Sequence, residues 1–446
     1  MATGRIRRDG WEFWALVALS IGGVVQILGL PLIVGALEDH WGYTAAYSGY
    51  ITSVDLAGLF VGSVTTSMWA SRINWKRYVA AALVLCIVMN VLCVWFHALG
   101  VLMVLRFVAG LASGVAYASS LTLMSRVQDT ARGFSIVIFA QVVANAAVLE
   151  VFPVIDARWG PGGLFVTMAM VMAATAVIVP RLPGRDPVAE AGIVATDGRA
   201  GHDPPLPGTA GAAVPVNAGA AIPGQAGAAV PAHAGAAIPG QGGAALSPPV
   251  TRVAMSGLCL GAVALVYVAI GSYWAYAERM GLALDLSADL VHHLLAASVL
   301  LSTIGCLAAF RLSRTVGESR PLLGALAMLS AVLLIHSGLR HPLMYVVTLG
   351  VMQICWNLID IFQLGTLAIV DPSGRAAALV PAAQGIALAA GPAAGGAALT
   401  AGRGYWAVLL LAGGAAALAT LCYSIVYVRF LRVAEPLART HQPAIP

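Results

Sequence analysis

The chain alternates between long apolar runs and short polar segments, and this pattern predicts its structural elements. Each run holds about 20 residues, the length that an α-helix needs to cross the hydrocarbon core of a bilayer. Ten-residue segments of alternating polarity, which are typical of membrane β-barrels, are absent. We predict roughly twelve spans, numbered in chain order, at 13–36, 45–69, 78–97, 99–124, 133–154, 162–180, 253–275, 290–310, 321–337, 342–370, 376–400 and 405–430.

A segment of different composition, at 181–251, separates spans 1–6 from spans 7–12. It contains no aromatic residue and repeats an eight-residue unit: AGAAVPVN, AGAAIPGQ, AGAAVPAH and AGAAIPGQ. Repeated Pro and Gly oppose a long helix, and Ala has little side chain to bury. The segment is therefore expected to be a flexible, disordered linker rather than a folded domain. A short solenoid is the rival interpretation, but such units would lack a core.

Composition supports a membrane protein. Hydrophobic residues make up 60% of the 446 residues, charged residues 10%, and the mean hydropathy is +0.87, whereas soluble domains are about a quarter charged. The expected fold is an all-α membrane protein with twelve transmembrane helices in two six-helix bundles. We divide the chain into an N-terminal tail, a first bundle, the linker, a second bundle and a C-terminal tail, at 1–12, 13–180, 181–251, 252–430 and 431–446.

Positive charge alternates between successive loops. Nineteen of the 24 Lys and Arg residues lie in the tails, the linker and the even-numbered loops, four lie in the odd-numbered loops, and Arg106 lies inside span 4. Cytoplasmic loops carry the excess of Lys and Arg, so both termini and the linker are predicted to be cytoplasmic. The net charge of +5 is explained by this topology, and no nucleic-acid partner is expected. The six cysteines form no C-x-x-C pair, and we expect them to be buried hydrophobic residues.

Short motifs resemble the major facilitator superfamily. Span 4 contains an R-x-x-x-G-x-x-x-G pattern, and span 11 contains a G-P-x-x-G-G pattern similar to the antiporter signature of span 5 in that family. The basic loops after spans 2 and 8 are similar to its conserved loop. Arg106 opens the motif of span 4. Gating or packing roles are expected for the other residues that carry the resemblance: Gly110, Gly114, Gly391, Pro392, Gly395, Gly396, Arg72 and Arg314. The resemblance implies two six-helix halves that expose a central site to each side in turn.

Ionisable residues inside the spans are candidates for function, because charge in hydrocarbon is costly. Asp55 in span 2 and Arg106 in span 4 lie at depths that differ by about 5 Å, given a rise of 1.5 Å per residue. They form either a pair that a proton or a substrate carboxylate disrupts, or a fixed structural ion pair.

Span 10 carries a polar stripe at helical spacing. The steps of three and four residues place its members on one face, which we expect to line a cavity: Gln353, Trp356, Asn357, Asp360 and Gln363. Further candidates for the pathway are Gln26, Gln141, Asn145, Trp274 and Glu278, the last at the outer mouth. Glu150 is expected to reach outer water, and solvated positions without function are expected for His292, His293 and His336.

The leading hypothesis is a secondary transporter in a bacterial-type inner membrane, multi-pass and monomeric, which moves a small organic solute. Asp55 or Asp360 is expected to couple transport to protons, and the motif in span 11 favours drug-type export. The alternatives are proton-coupled uptake of an organic or aromatic acid held by Arg106, and a receptor or scaffold that does not transport. No G-x-x-x-x-G-K-[ST] or H-E-x-x-H motif is present, so we expect no nucleotide-driven pump, no enzyme, no cofactor and no metal.

Overall fold

The computed structural model describes residues 10–69, 74–125, 127, 130–182, 249–371, 373–400 and 404–432. Several predictions concern residues outside this part of the chain: the two tails for most of their length, the linker between 183 and 248, and Arg72 in the loop after span 2. The side chain of Arg314 is also outside the description.

The described part of the chain is built of α-helices that confirm the predicted twelve spans. Eleven helices are long and apolar enough to cross a membrane, and one of them covers both span 5 and span 6. In the N-terminal half, spans 1–6, the helices are Trp11–Leu28, Leu30–Trp41, Ala45–Trp69, Trp75–Leu92, Leu99–Met124 and Thr130–Ala176. In the C-terminal half, spans 7–12, they are Pro249–Ala275, Ala277–Leu282, Ala288–Thr315, Ser319–Gly338, Pro342–Val370, Arg375–Thr400 and Trp406–Val426.

Two predicted boundaries are wrong because a glycine, rather than a change in polarity, ends the helix. Span 5 does not stop at 154. Its helix continues to Gly160, whose positive φ of 60° breaks the Thr130–Ala176 segment between spans 5 and 6. Span 1 does not stop at 36. It continues through Leu30–Trp41 and ends at Gly42, which is left-handed with φ of 67°.

The two ends of the bundle differ in charge. We call acidic face the end that holds residues 38–44, 93–98, 276–287 and 339–341, and basic face the opposite end. The extension of span 1 to Trp41 places Glu38 and Asp39 on a helix at the acidic face. The short helix Ala277–Leu282, which follows span 7, lies at the same face. These two elements belong to different halves and contact each other there.

Spans 2 and 4 pack backbone against backbone through glycines on both helices. A Cβ atom added at Gly58 or Gly62 would lie 2.1 or 2.0 Å from a carbonyl oxygen of span 4. A Cβ added at Gly110 or Gly114 would lie 2.1 or 2.0 Å from a carbonyl oxygen of span 2. Small residues spaced by four allow this close approach between membrane helices. The pair at 110 and 114 was predicted from the motif, whereas its counterpart in span 2 was missed.

We expect Gly114→Ala to destabilise the protein by about 1–3 kcal/mol, because the added methyl group meets the backbone of Leu59, which cannot move as a side chain tip can. The measurement is thermal unfolding of purified protein in detergent. Gly100→Ala is the matched control in the same span, since a Cβ at Gly100 meets nothing within 4 Å. Equal melting temperatures for the two variants would contradict the close packing of spans 2 and 4.

Candidate functional site

The buried cation of the N-terminal half is Arg106 in span 4, and side chains from four other spans surround it. Its guanidinium group donates to Asn90 Oδ1 at 2.8 Å and to Gln26 Oε1 at 3.2 Å, and it forms a hydrogen-bonded ion pair with Asp55. The ring of Phe165 lies 4.9 Å from the guanidinium carbon. Arg106 is 1% exposed and Asp55 is 6% exposed. The structure therefore brings together three predicted residues, Gln26, Asp55 and Arg106, inside one half.

This network leaves the guanidinium group well satisfied. Its partners come from spans 1, 2 and 3, with the aromatic ring from span 6 stacked against it. Gln26 is held in turn, because its amide nitrogen donates to Cys86 Sγ at 3.0 Å and to a backbone carbonyl of span 4. The second carboxylate oxygen of Asp55, Oδ1, has no hydrogen-bond partner in the described part of the chain. Chemically, the arrangement is a neutralised pair rather than an open anion receptor.

The buried charge of the C-terminal half is Asp360, and its surroundings are different. The Tyr267 hydroxyl lies 2.9 Å from both carboxylate oxygens, and Asp360 is fully buried. Among the described residues, no Lys, Arg or His forms an ion pair with it. One turn away on span 10, Asn357 donates to the carbonyl of Ser302 in span 8 at 2.9 Å. Asp360 is thus a carboxyl group held by a neutral donor.

The remaining predicted polar residues are buried within their own halves. Gln353, Trp356, Gln363 and Trp274 are at most 4% exposed in the C-terminal half, and Gln141 and Asn145 are at most 8% exposed in the N-terminal half. Several of their polar atoms have no hydrogen-bond partner within the described residues: Gln363 Oε1 and Nε2, Trp356 Nε1, Gln141 Nε2 and Asn145 Oδ1.

Within the described part of the chain, the cavity between the halves does not bring these polar residues together. A cavity of about 10 Å³ lies between the halves, and it is large enough for one water molecule at most. Its lining is apolar and includes none of the predicted polar residues: Ile27, Leu56, Leu59, Phe60, Pro381, Gly385 and Leu388. Asp55 and Arg106 are therefore separated from Asp360 by the seam between the two halves.

Tyr276 joins the two halves towards the acidic face. Its hydroxyl lies 2.9 Å from two carbonyl oxygens, Ala45 in the N-terminal half and Pro392 in the C-terminal half. Close to this point the backbone N–H of Ala393 donates across the seam to Ser53 Oγ at 2.8 Å. Proline disturbs the regular hydrogen bonding of a helix, and the seam uses the carbonyl and the amide on either side of that peptide bond.

The glycines of the predicted motif in span 11 pack at the same place. A Cβ at Gly391 would lie 2.6 Å from the backbone nitrogen of Ser272, and one at Gly395 would lie 2.7 Å from the ring of Tyr276. A Cβ at Gly396 would lie 2.8 Å from Ala46 Cα in the other half. The motif thus permits close contact of span 11 with spans 2 and 7.

Charged side chains also cross the seam at the acidic face. Arg279 donates two hydrogen bonds to Asp39, at 2.9 and 2.7 Å, in the bidentate geometry that suits a guanidinium and a carboxylate. Its Nε lies 3.8 Å from Glu38 Oε2. A second bridge joins His293 in span 8 to Glu150 in span 5 at 2.8 Å. The acidic face is therefore closed by polar contacts between the halves.

These contacts correct the predicted solvated positions of His292 and His336, and they add a partner to the exposed His293 and Glu150. His292 is not solvated, since it pairs with the buried Glu278 at 2.9 Å. His293 is exposed, but it pairs with Glu150, which does not simply face water. His336 is buried at 2% exposure beside the ring of Tyr345. The sequence places all three histidines near helix ends, but the short helix after span 7 and the packing of the loops decide their burial.

Several residues of the network and the seam were missed. The role of Asn90 could not be predicted, because the sequence does not show that the side chain of Arg106 points towards span 3. Tyr276 was not singled out, because an aromatic residue near the end of a span is often only interfacial. Arg279 carried a usable signal, because it is a cation in an otherwise acidic loop and could have been paired with Glu38 and Asp39.

The class of protein follows from this architecture: an α-helical membrane protein with twelve spans in two halves that meet along a glycine-rich seam. The sequence model of the Major Facilitator Superfamily matches residues 14–373, so the chain belongs to that superfamily and is a membrane solute transporter. Among solved structures, a crystal structure of a mutant of the nucleoside transporter NupG is similar, with a TM-score of 0.69 and 12% sequence identity. The match covers 93% of this chain and 99% of that chain, and it shows the fold. No curated protein matches this chain by sequence.

Removing one partner of the buried ion pair between Asp55 and Arg106 is expected to lower the free energy of unfolding. Asp55→Asn leaves Arg106 charged without its counter-ion, and it should destabilise the protein by about 3–5 kcal/mol. The double variant Asp55→Asn with Arg106→Gln removes both charges and should recover a large part of that loss. Unfolding in detergent, followed by melting temperature, measures both. If the double variant were no more stable than the single one, the pair would not be electrostatically coupled.

Proposed function

We propose that this chain is a proton-coupled secondary transporter that exports a small organic solute in exchange for protons. The predicted bundles at 13–180 and 252–430 would be the two moving parts, joined by the linker at 181–251. The distribution of Lys and Arg supports cytoplasmic tails and a cytoplasmic linker in a bacterial-type inner membrane, with the acidic face outside. Nothing in the proposed mechanism needs a second copy of the chain, so we propose a monomer without cofactor or metal.

The observation that carries proton coupling is the contrast between the two buried carboxylates. Asp55 is already neutralised by Arg106, whereas Asp360 is held by the Tyr267 hydroxyl. A buried carboxylate without a cation is costly in its charged form, so it gains most from binding a proton or a cationic ligand. We therefore assign proton binding to Asp360, and a structural role to Asp55.

The contrast between the neutralised Arg106 and the unpaired charge of Asp360 also favours a cationic over an anionic substrate. An organic acid would need a cation with free donors, but Arg106 donates to Asn90, Gln26 and Asp55 within the N-terminal half. A lipophilic cation or weak base would instead complement Asp360 and the buried aromatic residues around it, including Trp356. Competition between such a solute and a proton for one carboxyl group is a simple basis for exchange.

Alternating access is supported by the way the halves meet. The acidic face is closed by a few hydrogen bonds and ion pairs, such as those of Tyr276 and Arg279, each worth only about 1 kcal/mol. The cores of the halves are held by more extensive burial. Rocking of one half against the other would break the weak contacts first and open the acidic face.

Asp360→Asn is expected to abolish transport driven by a pH gradient, because the amide cannot bind and release a proton. It should also weaken the exchange of cationic solutes at equal pH, because the carboxylate that would bind them is lost. The experiment is flux into proteoliposomes, with a panel of lipophilic cations, nucleosides and aromatic acids as labelled solutes. Counterflow in the absence of a gradient identifies which solutes the variant still carries.

Tyr267→Phe is the matched variant, since it removes only the hydroxyl that donates to Asp360. It should keep gradient-driven flux but change its dependence on pH. Unchanged gradient-driven flux in Asp360→Asn would refute the assignment of the proton to this residue. Transport of aromatic acids but not of cations would favour uptake of an acid, and absence of flux for any solute would favour a receptor or scaffold.

A further inference from the structure

The contact between the halves at the acidic face contains more negative than positive charge. We propose that the carboxyl group of Glu38, which lies with Asp39 and Glu278 around Arg279 where the halves meet, is a proton-binding site whose occupation holds the acidic face closed. This site is separate from Asp360, which lies within the helix Pro342–Val370 of span 10. It would couple the pH at the acidic face to the conformation of the transporter.

The geometry places three carboxylates around one guanidinium group. Arg279 binds Asp39 through both terminal nitrogens and leaves Glu38 at 3.8 Å without a hydrogen bond to it. Glu278 is 7% exposed, and only its Oε1 has a partner, the Nε2 of His292. Its Oε2 is buried without a hydrogen-bond partner among the described residues. One cation therefore faces three potential anions, and two of these, Glu38 and Glu278, each have a buried oxygen without a hydrogen-bond partner among the described residues.

The cluster is sealed by close packing across the seam. A Cβ at Gly35 in span 1 would lie 2.1 Å from Glu278 Oε2 and 2.8 Å from Arg279 Nη2. Water therefore has little room to solvate that oxygen in the closed conformation. Opening of the acidic face would carry Glu38 and Asp39 away with the N-terminal half and return these carboxylates to water.

The groups that face Glu38 combine to favour a bound proton. Burial raises the pKa of Glu38 from 4.5 to about 7, the charge of Arg279 opposes this rise, and the charges of Asp39 and Glu278 add to it. The neutral groups near the cluster are the hydroxyls of Tyr276 and Tyr405. His292 faces Glu278 from span 8. Asp156, which lies 3.3 Å from His40, adds negative charge from the end of the span 5 helix.

The sign of the pH dependence follows from the two conformations. The pKa of Glu38 is higher in the closed form than the value of 4.5 expected when the carboxyl group is solvated, so closure takes up a proton. Acid pH stabilises the closed acidic face, and this stabilisation is lost as the pH rises through about 7. Between pH 8 and pH 6 the ratio of closed to open molecules should rise about tenfold. In an exporter, a proton arriving from outside would thus promote the return step.

The test measures distance rather than transport, so it does not depend on the proposed solute or on Asp360. Spin labels on cysteines at Trp95 and Arg340, exposed positions at the acidic face in different halves, report the separation of the halves by double electron–electron resonance. The full-length protein in lipid nanodiscs is measured at pH 6 and pH 8. All samples carry His293→Gln, because the bridge to Glu150 also involves a titratable group. Protein without the added cysteines defines the background.

In the parent protein, the short-distance population is expected to gain about tenfold over the long-distance population on acidification. Glu38→Gln mimics the protonated side chain and should give mainly the short distance at both pH values. Asp285→Asn, an exposed carboxylate in the loop after Ala277–Leu282, is the matched control and should keep the tenfold change. A pH response that persists in Glu38→Gln, a parent protein that does not respond, or opening in acid would each overturn the proposal.

Discussion

A charged side chain inside a membrane span cannot be solvated by water, so the protein itself must supply its hydrogen-bond and ion-pair partners. Much of the packing described above follows from this constraint. Arg106 satisfies it by drawing on partners from three other spans and an aromatic ring from a fourth. The glycines of spans 2 and 4 serve the same end, because the close approach of these helices places the backbone of Asp55 against Gly110. In the N-terminal half, the close packing of the backbones of spans 2 and 4 therefore also positions the carboxylate that neutralises Arg106.

Under the proposed alternating access, the seam between the halves meets a different requirement, since it would have to open. Its polar contacts are hydrogen bonds to backbone atoms and ion pairs close to the surface, such as those of Tyr276 and Arg279. Contacts of this kind contribute about 1 kcal/mol or less each. The buried pair of Asp55 and Arg106 lies within one half and does not cross the seam. A carrier that moves as two rigid parts needs this separation between strong internal and weak external contacts.

The sequence allowed the fold to be predicted because bilayer thickness imposes a length on every span. It also allowed Asp55 and Arg106 to be matched, because depth along a helix can be counted. It could not show which way the helices face, so Asn90 and Phe165 went unnoticed and the stripe around Asp360 was expected to line an open cavity. The role of His292 was misjudged because the short helix Ala277–Leu282 brings Glu278 under cover. A polar residue at the end of a straight helix is usually exposed, as its sequence position predicts. The prediction fails where a following loop or short helix packs over that residue.

In the proposed mechanism, the contrast between the two buried carboxylates assigns proton coupling to one half only. A pair that is neutral by itself, such as Asp55 with Arg106, has the same charge before and after the conformational change, and a proton would have to displace the guanidinium group to bind. A carboxyl group with only a neutral donor, such as Asp360 with Tyr267, has an electrostatic deficit that a proton or a cation can fill. Exchange needs a site that a proton or a cationic solute can neutralise, but that cannot bind both at once. Binding of one ligand then requires release of the other. Among the described residues in mid-membrane, Asp360 meets this condition.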